Sequence, residues 1–323
     1  MYRRDRSVQL GGSSSALYNN LSVLRLPQRQ LACFCTVHGP AVNVLSAATD
    51  GLGGSQRQLR PPRGGRSPPG SLPRGPAAWC VLPARVLLVL TSQKGVQMYE
   101  SDGSVMVYWH ALDVTEQPQG ECRRGSAARS PQTPPCWTSS GTVLVFDIPH
   151  KGTNVTVSEV LEEHRHAITD IAAELGQAPC AGVQPGGKEV TEEVTRAPVP
   201  SCTCSSVKLW NGVVAAGYGN GQIRLYEAAT GVLRAEVNAH ARWIYALDLA
   251  PLTGKLLSGA EDSFVHVWKL SRNPDTDDVE IEHCHAECVT DTQICGARFC
   301  DPEGCSFAVT GYDLSEIFRY SQV

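Results

Sequence analysis

The sequence contains no apolar run that approaches the length of a membrane-spanning helix. Such a helix needs about 18 consecutive residues of low polarity, whereas Arg85 interrupts the most apolar stretch, VLPARVLLVLT. The N-terminal residues MYRRDRSVQLGGSSS also lack the apolar segment of a secretory signal. We therefore expect a protein that does not insert into membranes and that stays in the cytoplasm.

The cysteines do not form a recognisable disulfide or metal-binding framework. There are 13, an odd number at irregular spacing, and cytoplasmic thiols stay reduced. Zinc needs four ligands, usually as two closely spaced pairs, and in a strand His283 and His285 would share a face while Cys284 points away. We favour buried strand cysteines over zinc, and we expect no metal and no cofactor. The densest group of potential ligands is His283, Cys284, His285, Cys288, Cys295, Cys300 and Cys305.

Positive charge is concentrated near the N-terminus. Residues 1–75 contain ten arginines, no lysine and two aspartates, a net charge of +8 in a chain whose total is −4. A basic arm can bind nucleic-acid phosphates or an acidic partner, but this one lacks the interleaved aromatic residues on which bases stack. We interpret it as a solvated segment, with nucleic-acid binding as the alternative function.

A repeat of about 42 residues dominates the C-terminal part. Each copy alternates apolar and polar residues on both sides of a short polar turn, which predicts a β-hairpin. Residues 213–231 and 255–270 are related by the pairs Gly217/Gly259, Asn220/Asp262, Ile223/Val265, Leu225/Val267 and Tyr226/Trp268. A third copy covers 308–321, and weaker copies cover 86–100 and 140–149. The equivalent strand ends are Tyr99, Phe146, Tyr226, Trp268 and Tyr320.

A single hairpin cannot bury its apolar faces, but four-stranded units stacked around an axis can. The repeat therefore predicts an all-β propeller that spans residues 1–323 as one domain, with six or seven blades and seven as the preferred number. Because the chain ends three residues after Tyr320, an N-terminal strand must complete the last blade and close the ring. Ser7–Leu10 and Leu21–Leu26 are the candidates.

Three segments lack the alternation of strands and disrupt the repeat. Residues 51–78 contain a Pro/Gly/Arg run and are expected to be a disordered insertion. Residues 117–139 and 174–206 are irregular and interrupt one or two blades. They are either natural insertions or the product of a variant that replaced propeller strands.

His240, Ser258 and Asp262 together could suggest a nucleophilic triad. However, they precede Trp268 by 28, 10 and 6 positions, and no G-x-S-x-G elbow surrounds Ser258. This spacing resembles the structural tetrad of the WD-repeat family. The resemblance implies that the turn aspartate orients the histidine, which bonds the serine, which in turn bonds the indole N–H. We therefore expect no catalytic residue.

The run Gly217-Tyr-Gly219-Asn-Gly221 looks like the start of a phosphate-binding loop. Such a loop must lead into a helix whose N-terminal amides face the phosphate. The following IRLYEA predicts a strand instead. The glycines are therefore interpreted as a hairpin turn with glycine at positive φ.

Longer runs resemble one particular family of WD-repeat proteins, over residues 79–113 and 205–323 and patchily over 1–50. They include VLLVLTSQKGVQMYES, MVYWHALD, GTVLVFDIP, EDSFVHVWKLSRNP and FAVTGYDLSEIFRYSQV. The resemblance implies a cytoplasmic, non-enzymatic scaffold that self-associates and holds signalling or vesicle-associated proteins. Arg242, Trp243 and Tyr245 are our candidate partner-binding residues, because aromatic and arginine side chains supply interface hot spots. The alternative is that the two aromatic rings pack between blades.

Overall fold

The structure is a computed structural model, and all its regular elements are β-strands. The expected all-β class is thus confirmed. Among the described residues, no helix has the length and apolarity needed to cross a membrane. The structure describes residues 1–26, 31–48, 54–59, 77–82, 85–92, 95–112, 122–124, 135–138, 143–161, 169–170, 172, 203–289 and 291–323.

The strands of the described residues form six antiparallel sheets. The chain opens with β1 (Tyr2–Arg4) and β2 (Val8–Gln9), which both pair with the last strand. The first sheet contains β3 (Ser22–Leu26), β4 (Leu31–His38), β5 (Ala41–Ala48) and β6 (Gln56–Leu59). The second contains β7 (Ala78–Val81), β8 (Val86–Ser92), β9 (Gly95–Glu100) and β10 (Met106–Ala111). The third contains β11 (Cys122–Arg124), β12 (Pro135–Thr138), β13 (Val143–Asp147) and β14 (Thr156–Leu161).

The three C-terminal sheets have the same order. The fourth contains β15 (Cys204–Trp210), β16 (Val213–Tyr218), β17 (Gln222–Glu227) and β18 (Leu233–Asn238). The fifth contains β19 (Ile244–Ala250), β20 (Lys255–Ala260), β21 (Phe264–Arg272) and β22 (Val279–Cys288). The sixth contains β23 (Ile294–Phe299), β24 (Ser306–Gly311) and β25 (Glu316–Gln322), with β1 and β2 in the place of a fourth strand.

Neighbouring sheets contact one another mainly through their first strands. β15 contacts β19, β19 contacts β23, β23 contacts β3 and β3 contacts β7, while the third sheet contacts the second through β11 and β8. This is the arrangement of propeller blades around an axis. The described residues contain six sheets, within the expected range of six to seven. The blade number predicted for the whole chain also involves residues outside the described ranges.

The core lies between the faces of adjacent sheets. The second strands β20 and β24 are buried at five of their six positions, because each has a neighbouring sheet on both faces. The fourth strands alternate instead, as in β18, where every side chain is exposed or half-buried. The repeat is therefore visible in the inner strands and weak in the outer ones.

The five predicted strand ends occupy equivalent positions. Tyr99, Phe146, Tyr226, Trp268 and Tyr320 each lie in the third strand of a sheet. At the first four, pairing with the fourth strand skips one residue, which is a β-bulge. The shared irregularity shows that the repeats match in register as well as in spacing.

The N-terminal strands reproduce this bulge in the sixth sheet. Arg4 lies opposite Tyr320, and Val8 lies opposite Ile317. Between these two pairs the N-terminal segment advances by four residues and β25 by three, so the N-terminal segment contains one extra residue. The candidate Ser7–Leu10 contains β2, whereas Leu21–Leu26 contains β3 of the first sheet. The sequence did not indicate β1.

Tyr2 anchors β1 between the fifth and sixth sheets. Its side chain is buried, and its ring centroid lies 5.0 Å from that of Phe307 and 5.3 Å from that of His285. The hydroxyl donates a hydrogen bond to the Gly304 carbonyl and lies 3.3 Å from the Lys255 ammonium. One aromatic side chain thus connects the start of the chain to two sheets.

Strands occur even in the three segments whose sequences lack alternating apolar and polar residues. β6 and the first residue of β7 lie within 51–78, β11 and β12 lie within 117–139, and β15 begins within 174–206. These strands are short, and strands such as QRQL and CRR pair through the backbone, so they need no alternation. The rest of the three segments lies outside the described residues. The basic segment 1–75 is also more than an arm, because β1 to β6 come from it.

We expect Tyr2→Ala to destabilise the protein by about 3 kcal/mol, because it removes a buried aromatic ring from the joint between two sheets. The measurement is urea denaturation followed by circular dichroism. Arg3→Ala is the matched control, because Arg3 is exposed on the same strand. Equal stability of the two variants would show that β1 does not support the last sheet.

Candidate functional site

The structure brings the four tetrad residues together. His240 Nδ1 lies 3.1 Å from Asp262 Oδ1, and His240 Nε2 lies 2.8 Å from Ser258 Oγ. The Trp268 indole N–H donates to Ser258 Oγ at 3.0 Å. Asp262 also accepts hydrogen bonds from the backbone N–H groups of Ala241 and Phe264. The bonds link the loop before β19 to β20 and β21 of the same sheet.

This bonding pattern assigns the protons. Because Ser258 Oγ accepts the indole N–H, its own hydrogen is available for His240 Nε2, and the proton on Nδ1 then faces the Asp262 carboxylate. Ser258 is fully buried, so a substrate cannot reach its hydroxyl. The arrangement is therefore a structural link within one sheet and does not position a nucleophile.

Other sheets replace the tetrad with different contacts. In the fourth sheet the hydroxyls of Tyr218 and Tyr226 form a buried hydrogen bond of 2.8 Å. In the sixth, Thr310 donates to the Asn20 carbonyl at 3.2 Å, and the Tyr320 hydroxyl has no hydrogen-bond partner among the described residues. The strand-end position is thus retained while its polar partners vary.

The first strands of the three C-terminal sheets share a second bulge. Ser205, Tyr245 and Cys295 are each the extra residue in the pairing of the first and second strands. A bulged residue leaves its backbone partly unpaired in the ladder. Tyr245 and Cys295 use this freedom, because each of their carbonyls accepts a hydrogen bond from the N-terminal segment.

The segment Ser14–Leu21 crosses this end of the first strands, and Asn19 and Asn20 carry most of its bonds. The Asn19 N–H donates to the Tyr245 carbonyl and the Asn20 N–H to the Cys295 carbonyl, both at 2.9 Å. Asn19 Nδ2 donates to Ser206 Oγ at 3.0 Å. The segment thereby connects the fourth, fifth and sixth sheets.

The Asn20 side chain extends the connection to the first sheet. Its amide group donates to the carbonyls of Ser15 and Val37 at 2.8 and 2.9 Å, and its Oδ1 accepts the Val37 N–H at 2.8 Å. The side chain is almost completely buried. The side chain thus supplies the partner of the buried Val37 N–H and adds a second hydrogen bond to two carbonyls that also accept backbone N–H groups. Residues 14–21 therefore link the fourth, fifth and sixth sheets to the first sheet.

The aromatic candidates Trp243 and Tyr245 pack against this segment. The Tyr18 ring stacks at 4.9 Å from Tyr245 and 6.3 Å from Trp243, measured between centroids. A Cβ at Gly219 would lie 2.9 Å from the Trp243 ring, so the absence of a side chain there admits the indole. Both aromatic residues are half-buried. Gly221 has φ +83°, as expected for the hairpin turn.

Arg242 lies beside these rings but faces solvent. Its side chain is 67% exposed, and its guanidinium is 3.9 Å from the Glu261 carboxylate. The Glu261 N–H donates to the Trp243 carbonyl, which ties the two loops together. Tyr312, in the equivalent turn of the sixth sheet, is 54% exposed. The three candidates therefore divide into one solvent-facing cation and two packed rings.

Charged residues line the first strands at a position that the sequence analysis missed. Lys208, Asp248 and Arg298 each follow a bulge residue by three positions. Arg298 pairs with Asp248 at 2.8 Å, and Lys208 pairs with Asp170 at 3.4 Å. Burial lowers the pKa of Lys208, and the carboxylates of Asp170 and Asp248 oppose this effect. Their spacing of 40 and 50 residues was the feature of the sequence that could have identified them.

The cysteines and histidines do not assemble into a metal centre within the described ranges, where no group of three or more such ligands occurs. Cys295 is buried, and burial raises its pKa to about 12. Cys284, Cys288 and Cys305 are exposed, so the prediction of buried strand cysteines is wrong for these three.

His283 and His285 lie on opposite faces of β22, and the prediction that they share a face is wrong. The His283 ring lies 4.9 Å from Trp268, on the side of the fourth sheet, whereas His285 lies 5.3 Å from Tyr2, on the side of the sixth. The cause is the bulge, because Trp268 opposes His283 and Val267 opposes His285, with Cys284 extra.

Comparison with known proteins places this geometry in a family. A sequence profile of the WDR54 family matches residues 1–323. The chain is 55% identical over 338 residues to WD repeat-containing protein 54 of Mus musculus and 54% identical to that of Homo sapiens, with 100% of both chains covered in each case. The resemblance inferred from the sequence, to WD repeat-containing protein 54, is thereby confirmed, and the match extends over the whole chain.

A solved structure supports the fold. A chain of the "Crystal Structure of Mitotic Checkpoint Complex" is similar with a TM-score of 0.51 at 12% sequence identity, covering 98% of this chain and 91% of that one. At this identity the likeness concerns the fold alone. The predicted WD-repeat β-propeller is confirmed.

We expect Asn20→Ala to destabilise the protein by about 2–4 kcal/mol, because it leaves the buried Val37 N–H without its partner and removes the two hydrogen bonds from the Asn20 amide to the Ser15 and Val37 carbonyls. The measurement is the free energy of unfolding in urea. Asn220→Ala is the control, since Asn220 is exposed in a turn and should change stability by less than about 0.5 kcal/mol. A stable Asn20→Ala variant would exclude a structural role for this crossing.

Asp262 should make stability depend on pH. Burial raises the pKa of its carboxyl, but hydrogen bonds from His240, Ala241 and Phe264 outweigh this and lower the pKa below 3.8. Because the folded pKa lies below the unfolded one, the ionised group stabilises the fold above pH 3.8, and this contribution is lost as the pH falls through the folded pKa.

Asp262→Asn should therefore cost about 1–3 kcal/mol at pH 7, and the difference from wild type should shrink below about pH 4. Urea titrations at pH 7 and at acid pH measure both effects. Asp275→Asn, at an exposed position, should match wild type throughout. A difference that does not change with pH would contradict the assignment of the charge.

Proposed function

The chain belongs to the WDR54 family of WD-repeat proteins, and on this basis we propose that it is a non-catalytic scaffold that binds other proteins. WD-repeat proteins generally act in protein interaction. The observation that carries the proposal is one end of the sheets, cross-linked by residues 14–21, where arginine and aromatic side chains are exposed. The contact surface is accordingly this end of the sheets.

The hydrogen bonds of residues 14–21 support a contact surface at this end of the sheets. These residues bond to four sheets through backbone groups and the Asn19 and Asn20 amides. The loops that they hold therefore keep a fixed arrangement toward a partner. Loops held by a rigid sheet scaffold are the usual place for binding residues.

This end of the sheets offers the side chains that dominate protein interfaces. Arg242 precedes β19, Phe264 begins β21, and Tyr312 lies in the turn between β24 and β25. By topology, all three lie at the same end of their sheets. Arg242 and Tyr312 are more than half exposed, and Phe264 is 39% exposed. Aromatic and arginine side chains are enriched among residues that contribute most to binding.

Trp243 and Tyr245 are half-buried beside this exposed surface. Their rings stack on Tyr18 and hold the loop that carries Arg242. We propose Arg242, Trp243 and Tyr245 together as the contact site, with Arg242 as its solvent-facing member. Alanine at either ring position then weakens binding by loosening the loop.

We extend the proposal to self-association and to signalling or vesicle-associated complexes in the cytoplasm. Its support is the family resemblance. We do not extend it to nucleic acid, because β1 to β6 occupy much of the basic segment and the Arg4 guanidinium lies 3.9 Å from the Phe318 ring centroid.

We expect Arg242→Glu to weaken partner binding about tenfold or more, because it reverses the exposed charge of the contact site. Tyr312→Ala should act in the same direction. The measurement is affinity capture from cytosolic extract with quantitative mass spectrometry, followed by titration of the captured protein. Melting temperatures of both variants should equal that of wild type.

Leu252→Ala is the matched control, because Leu252 is 69% exposed in a turn at the other end of the fifth sheet. It should retain every partner. If Arg242→Glu, Trp243→Ala and Tyr245→Ala all capture the same proteins as wild type in the same amounts, the site is not the one proposed.

A further inference from the structure

We propose that the outer edge of the second sheet pairs two copies of this chain, with β10 of one copy antiparallel to β10 of the other. The proposal rests on the self-association included in the proposed function and assigns it a surface. β10 is the last strand of its sheet in the described residues, so one side of its backbone has no strand partner there.

Apolar side chains are exposed along this edge. Val105 is 59% exposed, Met106 49% and Trp109 39%. An outer strand with exposed apolar residues and unpaired backbone groups is a template for pairing with another strand. Natural proteins usually protect such edges with charged side chains, so an unprotected edge requires an explanation.

β10 lacks the charges that the other outer strands carry. Its sequence, MVYWHA, contains no acidic residue, no lysine and no arginine, and burial lowers the pKa of His110, which keeps its imidazole neutral near pH 7. The outer strands of the other described sheets carry Arg3 and Arg4, Arg57, Glu159, Arg234 and Glu236, and Glu280, Glu282 and Glu287.

This difference favours a second copy as the occupant. In a twofold antiparallel pair a strand lies beside its own copy, so a strand whose charges all have the same sign places like charges near one another. The three glutamates of β22 and the two arginines of β1 would repel their copies. The uncharged β10 can pair with itself without that cost.

The edge is also held in shape before any pairing. Val107 is buried, and the rings of Tyr108 and His110 pack edge-on against Phe146 of the third sheet at 6.1 and 5.6 Å. The strand therefore loses little conformational freedom when it pairs. Two six-residue strands cover less than the roughly 1,200 Å² of a standard interface, so the dimer should be weak and concentration-dependent.

The test is sedimentation velocity of the full chain from about 1 to about 100 μM. The expected result is a weight-average mass that rises toward twice that of the monomer. Trp109→Lys and Val105→Lys should keep the mass at that of the monomer, because each places a charged side chain from both copies at an otherwise uncharged, apolar edge. Using two variants guards against a folding defect in one, and circular dichroism checks both.

Leu233→Lys is the matched control, since Leu233 is 47% exposed on the outer strand β18. It should dimerise as wild type does. A wild-type chain that remains monomeric overturns the proposal, as does a folded Trp109→Lys variant that still dimerises. Loss of the dimer in Leu233→Lys alone would place the interface on another edge.

The outcome is separable from that of the scaffold proposal. Partner capture depends on the Arg242 contact site and is measured on the same variants. Trp109→Lys that is monomeric and retains its partners supports both proposals. A monomeric wild-type chain that captures partners overturns only the self-pairing, and a dimer without captured partners overturns only the scaffold.

Discussion

The backbone and amide hydrogen bonds of Asn19 and Asn20 are the constraint on which the centre of this ring depends. They join the first strands of the fourth, fifth and sixth sheets to the first sheet. Each sheet buries its faces only against its neighbours, so the relative position of the sheets matters as much as their internal pairing. Bulges at Tyr245 and Cys295 leave the carbonyls that receive these bonds. An irregularity within each sheet thus becomes the attachment point between sheets.

Much of the fold follows from the repeated pattern, because inner strands are buried on both faces and their apolar residues recur at similar intervals. Intervals of 42 and 52 residues relate Tyr226, Trp268 and Tyr320 as equivalent positions. The spacing before Trp268 grouped His240, Ser258 and Asp262. Outer strands escaped this reasoning, since β1 and β6 pair through the backbone and carry few apolar residues. The Asn19–Asn20 crossing also escaped it, because several partners are distant in sequence, such as Ser206 and Leu247 at 187 and 228 residues from Asn19, and no local pattern predicts them.

The β-bulges explain why the alternation of side chains along a strand gave a wrong prediction. Alternation assigns His283 and His285 to one face, but the extra residue Cys284 turns them to opposite sides. The polar residues of the tetrad are not retained in every sheet. They are complete in the fifth sheet and replaced by a pair of tyrosines in the fourth. Packing between sheets supplies most of the stability of each blade, so a polar network can be lost from one repeat while its strand-end aromatic residue remains. The site residues are therefore predictable where the repeat is complete.

The sixth sheet joins the two ends of the chain. β1 lies beside β25, and the Val323 N–H donates to the Met1 carbonyl. During synthesis on the ribosome, the first strand to emerge therefore waits for the last one to be made. Until translation reaches β25, Tyr2 and its neighbours have no sheet to join, and the apolar faces of the finished blades lack their final neighbour. The apolar surface that β25 covers is therefore open to misassociation until that strand has been made.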